Sequence, residues 1–123
     1  MRLNPYANRH LQVTDLAAEG AATTDTYRNV VINRVNSSCL RLSVMEKPYG
    51  SHYHPRSDEL FLVISGCMEI DLVDGRTFRL TPWKCATVPA GIIHRTLPVG
   101  RSVNLCFEEL AAETVFVESA EGR

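Results

Sequence analysis

From Val30 the chain follows a two-residue rhythm of apolar and polar positions. "VVINRV" is followed by the turn "NSS" and then by "CLRLSVM", in which Leu40, Leu42 and Val44 alternate with Cys39, Arg41 and Ser43. Strict alternation over such a length predicts half-buried β-strands, because successive side chains leave opposite faces of an extended backbone. The same rhythm returns in "ELFLVI", in "CMEIDLV", where Met68, Ile70 and Leu72 alternate with Glu69 and Asp71, and in "TFRL", "CATV", "IIHRTL" and "SVNLCFEEL". Between these runs stand "KPYGS", Ser65-Gly66, Asp74-Gly75, "TPWK", "PAG" and "PVG", all rich in residues that turn the chain. Short strands at such regular intervals predict an all-β fold, an antiparallel sandwich, barrel or jelly roll.

The ends of the chain break the rhythm. Residues 1–29, including "LAAEGAATTDT", hold small and polar residues without a helical period and are read as an irregular N-terminal arm. Residues 30–110 carry the barrel pattern, and 111–123 read as a tail in which "ETVFVES" offers a closing edge strand. At 123 residues with 45% hydrophobic content, the chain suits one domain with its own core.

Composition narrows the partners. A formal net charge of −1, with both signs scattered throughout, provides no electrostatic footprint for nucleic acid or an anionic membrane surface. No run approaches the roughly 20 apolar residues of a membrane span, and no signal-peptide core is present, so the expected setting is cytoplasmic. Cys39, Cys67, Cys85 and Cys106 form no C-x-x-C pair, and the expectation is four free, mostly buried thiols. A small-molecule ligand is the partner that these features leave open.

Candidate chemistry is concentrated in "HYHPRSDELFLVISG". On a strand, His52 and His54 leave the same face and can share one ligand, while Tyr53 points away. Glu59 shares its face with Phe61 and Val63, and a carboxylate on that apolar face is costly to bury unless paired or bound to a metal. The H-x-H pair alone is also compatible with a solvated or hydrogen-bonded pair. A second element, "VPAGIIH", uses Pro89 and Gly91 to shape a turn that delivers His94 on the next strand.

These two stretches resemble the motifs of the cupin superfamily. His52, His54, Glu59 and Gly66 match the first motif, and Pro89, Gly91 and His94 match the core of the second, with a hairpin and a strand between them. The resemblance spans about residues 30–108 and is closest to small single-domain members often labelled mannose-6-phosphate-isomerase-like. Three positions depart from the family pattern: Glu46 and Trp83 stand where glycines open the two motifs, and Pro98 stands where asparagine is common.

The resemblance implies a double-stranded β-helix enclosing a divalent first-row metal, Fe, Mn, Ni or Zn, on His52, His54, Glu59 and His94. Four protein ligands on an octahedral ion leave two positions for water or substrate. The presence of Glu59 argues against the thiol-dioxygenase branch, whose sites resemble three histidines alone. The implied activities are isomerisation, oxygenation or decarboxylation of a small oxygenated or sugar-like molecule. The alternative is a binding or sensing module without turnover, since no further histidine stands near the pocket for proton transfer.

Other residues complete the expected pocket. Tyr49 and Thr96 are catalytic candidates, Thr96 because it shares the face of His94. Asn104 and Cys106 share one face of their strand, looking toward the site or toward a subunit partner. A sugar-phosphate substrate needs a cationic clamp, for which Arg41, Arg56 and Arg95 are the nominees, although parity sets Arg95 opposite to His94. Trp83 is read as a packing or interface anchor and His10 as exposed. Small cupins resemble one another in pairing across a two-fold axis, so a homodimer is expected, with the N-terminal arm as a strand to exchange.

Overall fold

The computed structural model describes residues 9–118. Ten strands follow one short helix: α1 (Leu16–Ala21), β1 (Tyr27–Val35), β2 (Ser38–Met45), β3 (Tyr49–Tyr53), β4 (Glu59–Ser65), β5 (Met68–Leu72), β6 (Thr77–Leu80), β7 (Cys85–Val88), β8 (His94–Pro98), β9 (Ser102–Glu109) and β10 (Val115–Phe116). They form two five-stranded antiparallel sheets, in the orders β1-β2-β9-β4-β7 and β10-β3-β8-β5-β6. The all-β expectation holds, and the strand-to-strand crossovers between the sheets give the double-stranded β-helix arrangement.

The alternation read from the sequence sorts the core into two clusters. One lies inside the barrel and joins Met45, Phe61, Val63, Met68, Ile70, Leu80, Val88 and Cys106. The other lies on the opposite face of the first sheet, where Ile32, Leu42, Val44, Val103 and Leu105 pack with Leu16 of α1. The first sheet is therefore apolar on both faces, and its outer face needs a cover.

The lead-in segment supplies that cover, contrary to the helix-free reading. Asp15 caps α1 by accepting a hydrogen bond from the Ala18 amide at 3.1 Å. Gly20 then lets the helix settle on the sheet: a Cβ at this position would lie 2.9 Å from Cγ1 of Val103. Arg101 fastens the same segment, donating to the Thr23 carbonyl at 2.6 Å and to Oε2 of Glu46 at 2.6 Å. A six-residue helix has no apolar period to read, and it is held by these tertiary contacts. In its described part, the segment expected to be an exchangeable arm thus packs on its own barrel; residues 1–8 lie outside the described residues.

Two turns require a left-handed backbone. Gly66 has φ 78°, and an added Cβ would fall 2.1 Å from the Arg101 carbonyl oxygen. Trp83, standing where the family pattern places a glycine, has φ 69° and is 75% exposed. The turn geometry survives the substitution, and the indole does not join the described core. Cys39 and Cys106 are buried, Cys67 is half-buried and Cys85 is exposed, so the four free thiols are not mostly buried as composition had led us to expect.

Candidate metal centre

β3, β4 and β8 bring the four predicted ligands together. His52, His54, Glu59 and His94 are all buried, and one ligand atom from each lies within 4.8 Å of the others. His52 pairs directly with His94 across β3 and β8, and Glu59 enters from the opposite sheet on the same face as Phe61 and Val63. The two motif turns are joined by one backbone and one side-chain hydrogen bond. The Gly91 amide donates to the His54 carbonyl at 2.8 Å, and Oδ1 of Asp58 accepts from the Ala90 amide at 2.9 Å.

Every imidazole is oriented by a carbonyl. Nδ1 of His52 donates to Gly50 at 2.7 Å, Nδ1 of His54 to Glu113 at 2.8 Å and Nδ1 of His94 to Ile92 at 2.8 Å. Carbonyls only accept, so each Nδ1 carries its proton, and Nε2 of a neutral ring is left with a lone pair aimed at the centre. Carbonyl-oriented rings of this kind are the usual support of a metal ligand set.

Glu59 divides its two oxygens. Oε1 lies 3.0 Å from Nε2 of His54 and 3.4 Å from Nε2 of His94, while Oε2 accepts from the Cys106 thiol at 2.7 Å. Nε2 of His94 is buried without a hydrogen-bond partner among the described residues. A lone pair facing a carboxylate oxygen in a buried site calls for a cation, and the donor set suits a divalent first-row metal.

Electrostatics differ from residue to residue. Burial lowers the pKa of His52 from 6.5 to about 4, so this ring stays neutral near pH 7. Nε2 of His54 donates to Glu59 only when the ring carries a proton on both nitrogens, and that hydrogen bond raises its pKa. Burial opposes ionisation of Glu59, yet the hydrogen bonds from His54 and Cys106 outweigh it and hold the carboxyl well below its ordinary range. Burial, with the charge of Glu59, pushes the Cys106 thiol well up, so it serves as a donor.

A cavity of about 300 Å³ opens beside this cluster. Tyr49, Thr96, Arg41, Asn104 and Cys106 all line it, and for Asn104 and Cys106 this is one of the two directions that strand parity left open. Tyr49 gets there against simple parity, because the β3–β8 register is irregular between Tyr49 and His52; its ring meets that of His52 edge-on with centroids 5.0 Å apart. Arg95 pairs with Asp71 at 3.0 Å on the far side of β8, and Arg56 pairs with Glu113, so neither lines the cavity. His10 is exposed and bonded to the Arg34 carbonyl.

Sequence reasoning passed over Glu108. It lies on β9 two positions beyond Cys106, so the parity that picked out Asn104 and Cys106 also points to it. Its Oε1 accepts from Nε of Arg41 at 3.1 Å, its Oε2 lies 3.8 Å from Nε2 of His54, and burial raises its pKa to about 7, with the charge of Glu59 adding to the effect. Tyr27 and Asn29, also on the wall, lie in a segment read as an arm; Thr114 lies in the tail.

Comparison with known proteins agrees with this geometry. The family described as Cupin domain matches residues 43–103. An uncharacterized protein, YdbB, of Bacillus subtilis (strain 168) is 39% identical over 107 residues, which is 87% of this chain and 95% of that protein. The crystal structure of a cupin-2 domain containing protein from Shewanella frigidimarina superposes with a TM-score of 0.74 at 21% identity, covering 79% of this chain and 94% of that one. Oxalate decarboxylase superposes with a TM-score of 0.64 at 20% identity, over 78% of this chain and 29% of the enzyme.

Proposed function

This chain belongs to the cupin domain family, and from that premise we propose that it is a metal-dependent enzyme acting on a small oxygenated or sugar-like molecule in the cavity beside Glu59. The observation that carries the reading is the unpartnered, buried Nε2 of His94 facing Oε1 of Glu59, among rings whose Nδ1 atoms are all committed to carbonyls.

His52, His54, Glu59 and His94 would hold the ion, one of Fe, Mn, Ni or Zn. When bound, it supplies Lewis acidity and leaves positions for substrate or water. The chain's own residues do the rest. Phe61 walls the site, Cys106 keeps Glu59 from turning away, and Thr96, Asn104 and Tyr49 present polar groups to a ligand. Isomerisation, oxygenation and decarboxylation are all compatible with that arrangement, and the shared fold with oxalate decarboxylase supports the catalytic form. A sugar-phosphate substrate has less support, because Arg41 is the sole cavity-lining member of the expected clamp of Arg41, Arg56 and Arg95.

The second reading is a binding or sensing module with the same metal. It is favoured by one observation: His10, the histidine outside the ligand set, lies on the surface and leaves no imidazole for proton transfer. We also propose a cytoplasmic homodimer with no nucleic-acid partner. It would be built from one barrel domain over 30–110 with its arm over 1–29 and closing tail over 111–123.

Metal analysis of untagged protein, before and after loading with zinc or manganese, tests the centre. One equivalent of metal is expected, and it should be lost in His94→Ala with the circular dichroism unchanged. No uptake after loading would overturn the metal reading. Turnover abolished by His52→Ala would separate the enzyme from the sensor, and light scattering near 14 kDa would reject the dimer.

A further inference from the structure

The side chain of Glu108 is 9% exposed and lines the cavity, and its Oε2 has no hydrogen-bond partner among the described residues. Its other oxygen is engaged by Nε of Arg41, whose Nη1 in turn reaches Oδ1 of Asn29 at 3.4 Å. A buried acceptor left without a donor is costly, so a lone Oε2 aimed into a cavity marks the place where a ligand's donor belongs.

The charge pattern says which donor. At this end of the cavity Arg41 and Glu108 offset each other, Asn29 beside Arg41 is uncharged, and the Glu59 carboxylate is the nearby charge that acts on Glu108. A second anionic group on the ligand would meet Glu108 across a short gap, whereas a hydroxyl would donate to it. Oε2 lies 3.8 Å from Nε2 of His54. A ligand oxygen seated against the Nε2 cluster therefore has its neighbouring hydroxyl within reach of Glu108.

We propose that Glu108 is a ligand-binding residue of this site and selects small hydroxylated molecules that engage the histidine cluster through one oxygen-bearing end and donate a distal hydroxyl to Oε2 of Glu108. The inference rests on the reading of the cavity as a ligand site and makes Glu108 its specificity determinant. L-lactate, L-glycerate and L-malate are suitable probes. Each is an α-hydroxy acid, and they differ at the next carbon by a methyl, a hydroxymethyl and a carboxymethyl group.

The three probes should be titrated calorimetrically into zinc-loaded wild-type protein and Glu108→Gln, with metal content and circular dichroism measured on both. At about pH 8, L-glycerate is expected to bind wild type about 10-fold more tightly than L-lactate, as a charge-assisted hydrogen bond would give, with L-malate weakest. In Glu108→Gln the preference for glycerate over lactate should shrink several-fold and malate should gain, with zinc content unchanged. Equal preference in the two proteins, malate as the tightest wild-type ligand, or no binding of any probe would each overturn the inference. Loss of zinc in Glu108→Gln would also overturn it, by making Glu108 a metal ligand. A wild-type protein that takes up no metal yet keeps a Glu108-dependent preference for glycerate would sustain the inference while removing the metal-enzyme reading.

Discussion

The carbonyl of Glu113 accepts a hydrogen bond from Nδ1 of His54 at 2.8 Å, so the last described stretch of the chain orients a candidate metal ligand in the first motif. The stretch is held in place by β10, which pairs with β3 at Val115↔Tyr53 and Phe116↔His52. A chain ending at Ala112 should keep β1 to β9, since Phe116 is 60% exposed and contributes little to the core. Its zinc affinity should fall about 10- to 100-fold, the usual effect of removing a group that orients a metal-bound imidazole. Competition against a chromophoric chelator would measure the loss, and an unchanged affinity would show that His54 needs no strap.

Glu108 makes a pH prediction with a definite sign. Its carboxyl is raised from 4.5 to about 7 in the folded protein, so between those values the native state binds a proton that the unfolded chain has released. Stability therefore declines through this window as pH rises, and the deficit persists above it. Glu108→Gln lacks this penalty. In metal-free protein its stability relative to wild type should climb from pH 4.5 to about 7 and then level off. Urea midpoints across that range would show the trend, and a flat difference would refute it.

Gly66 and Trp83 occupy the same left-handed region of backbone space with opposite suitability. Gly66→Ala should destabilise by about 3 kcal/mol, from the strained φ together with the contact its Cβ would make with the Arg101 carbonyl. Trp83→Gly should stabilise by up to about 1 kcal/mol, because relief of φ strain outweighs the added freedom of the unfolded chain. Equilibrium unfolding in urea reads both. A destabilised Trp83→Gly would show that the exposed indole makes a stabilising contact, such as one with a second copy.

Arg101 ties the segment around α1 to the barrel through the Thr23 carbonyl and Glu46. Arg101→Ala should accelerate amide exchange in residues 16–26 at least 10-fold while leaving the β4 amides protected. Uniform loss of protection would mean that the segment and the barrel unfold together.

Much of the site was legible because the relevant geometry is local. The shared face of His52 and His54, and the alignment of Glu59 with Phe61 and Val63, follow from the two-residue period of a strand. Asn104 and Cys106 were placed by the same parity, which would also have found Glu108. Tyr49 escapes the rule, since its inward position depends on an irregularity of register that the residues do not announce. The lead-in helix went unread for a related reason: it is held by contact with Val103 and Arg101 and has no period of its own.

By itself the sequence determined the strand periods, the turn positions and the inward faces that carry His52, His54, Glu59 and His94, because those depend on neighbours along the chain. Tertiary structure alone decided which groups meet. Strand register places Arg41 opposite Cys106 on β9, next but one to Glu108, and β10 delivers the Glu113 carbonyl to His54. Those partners lie 67 and 59 residues apart, and at such separations only the closing of the barrel brings one side chain within hydrogen-bonding distance of another.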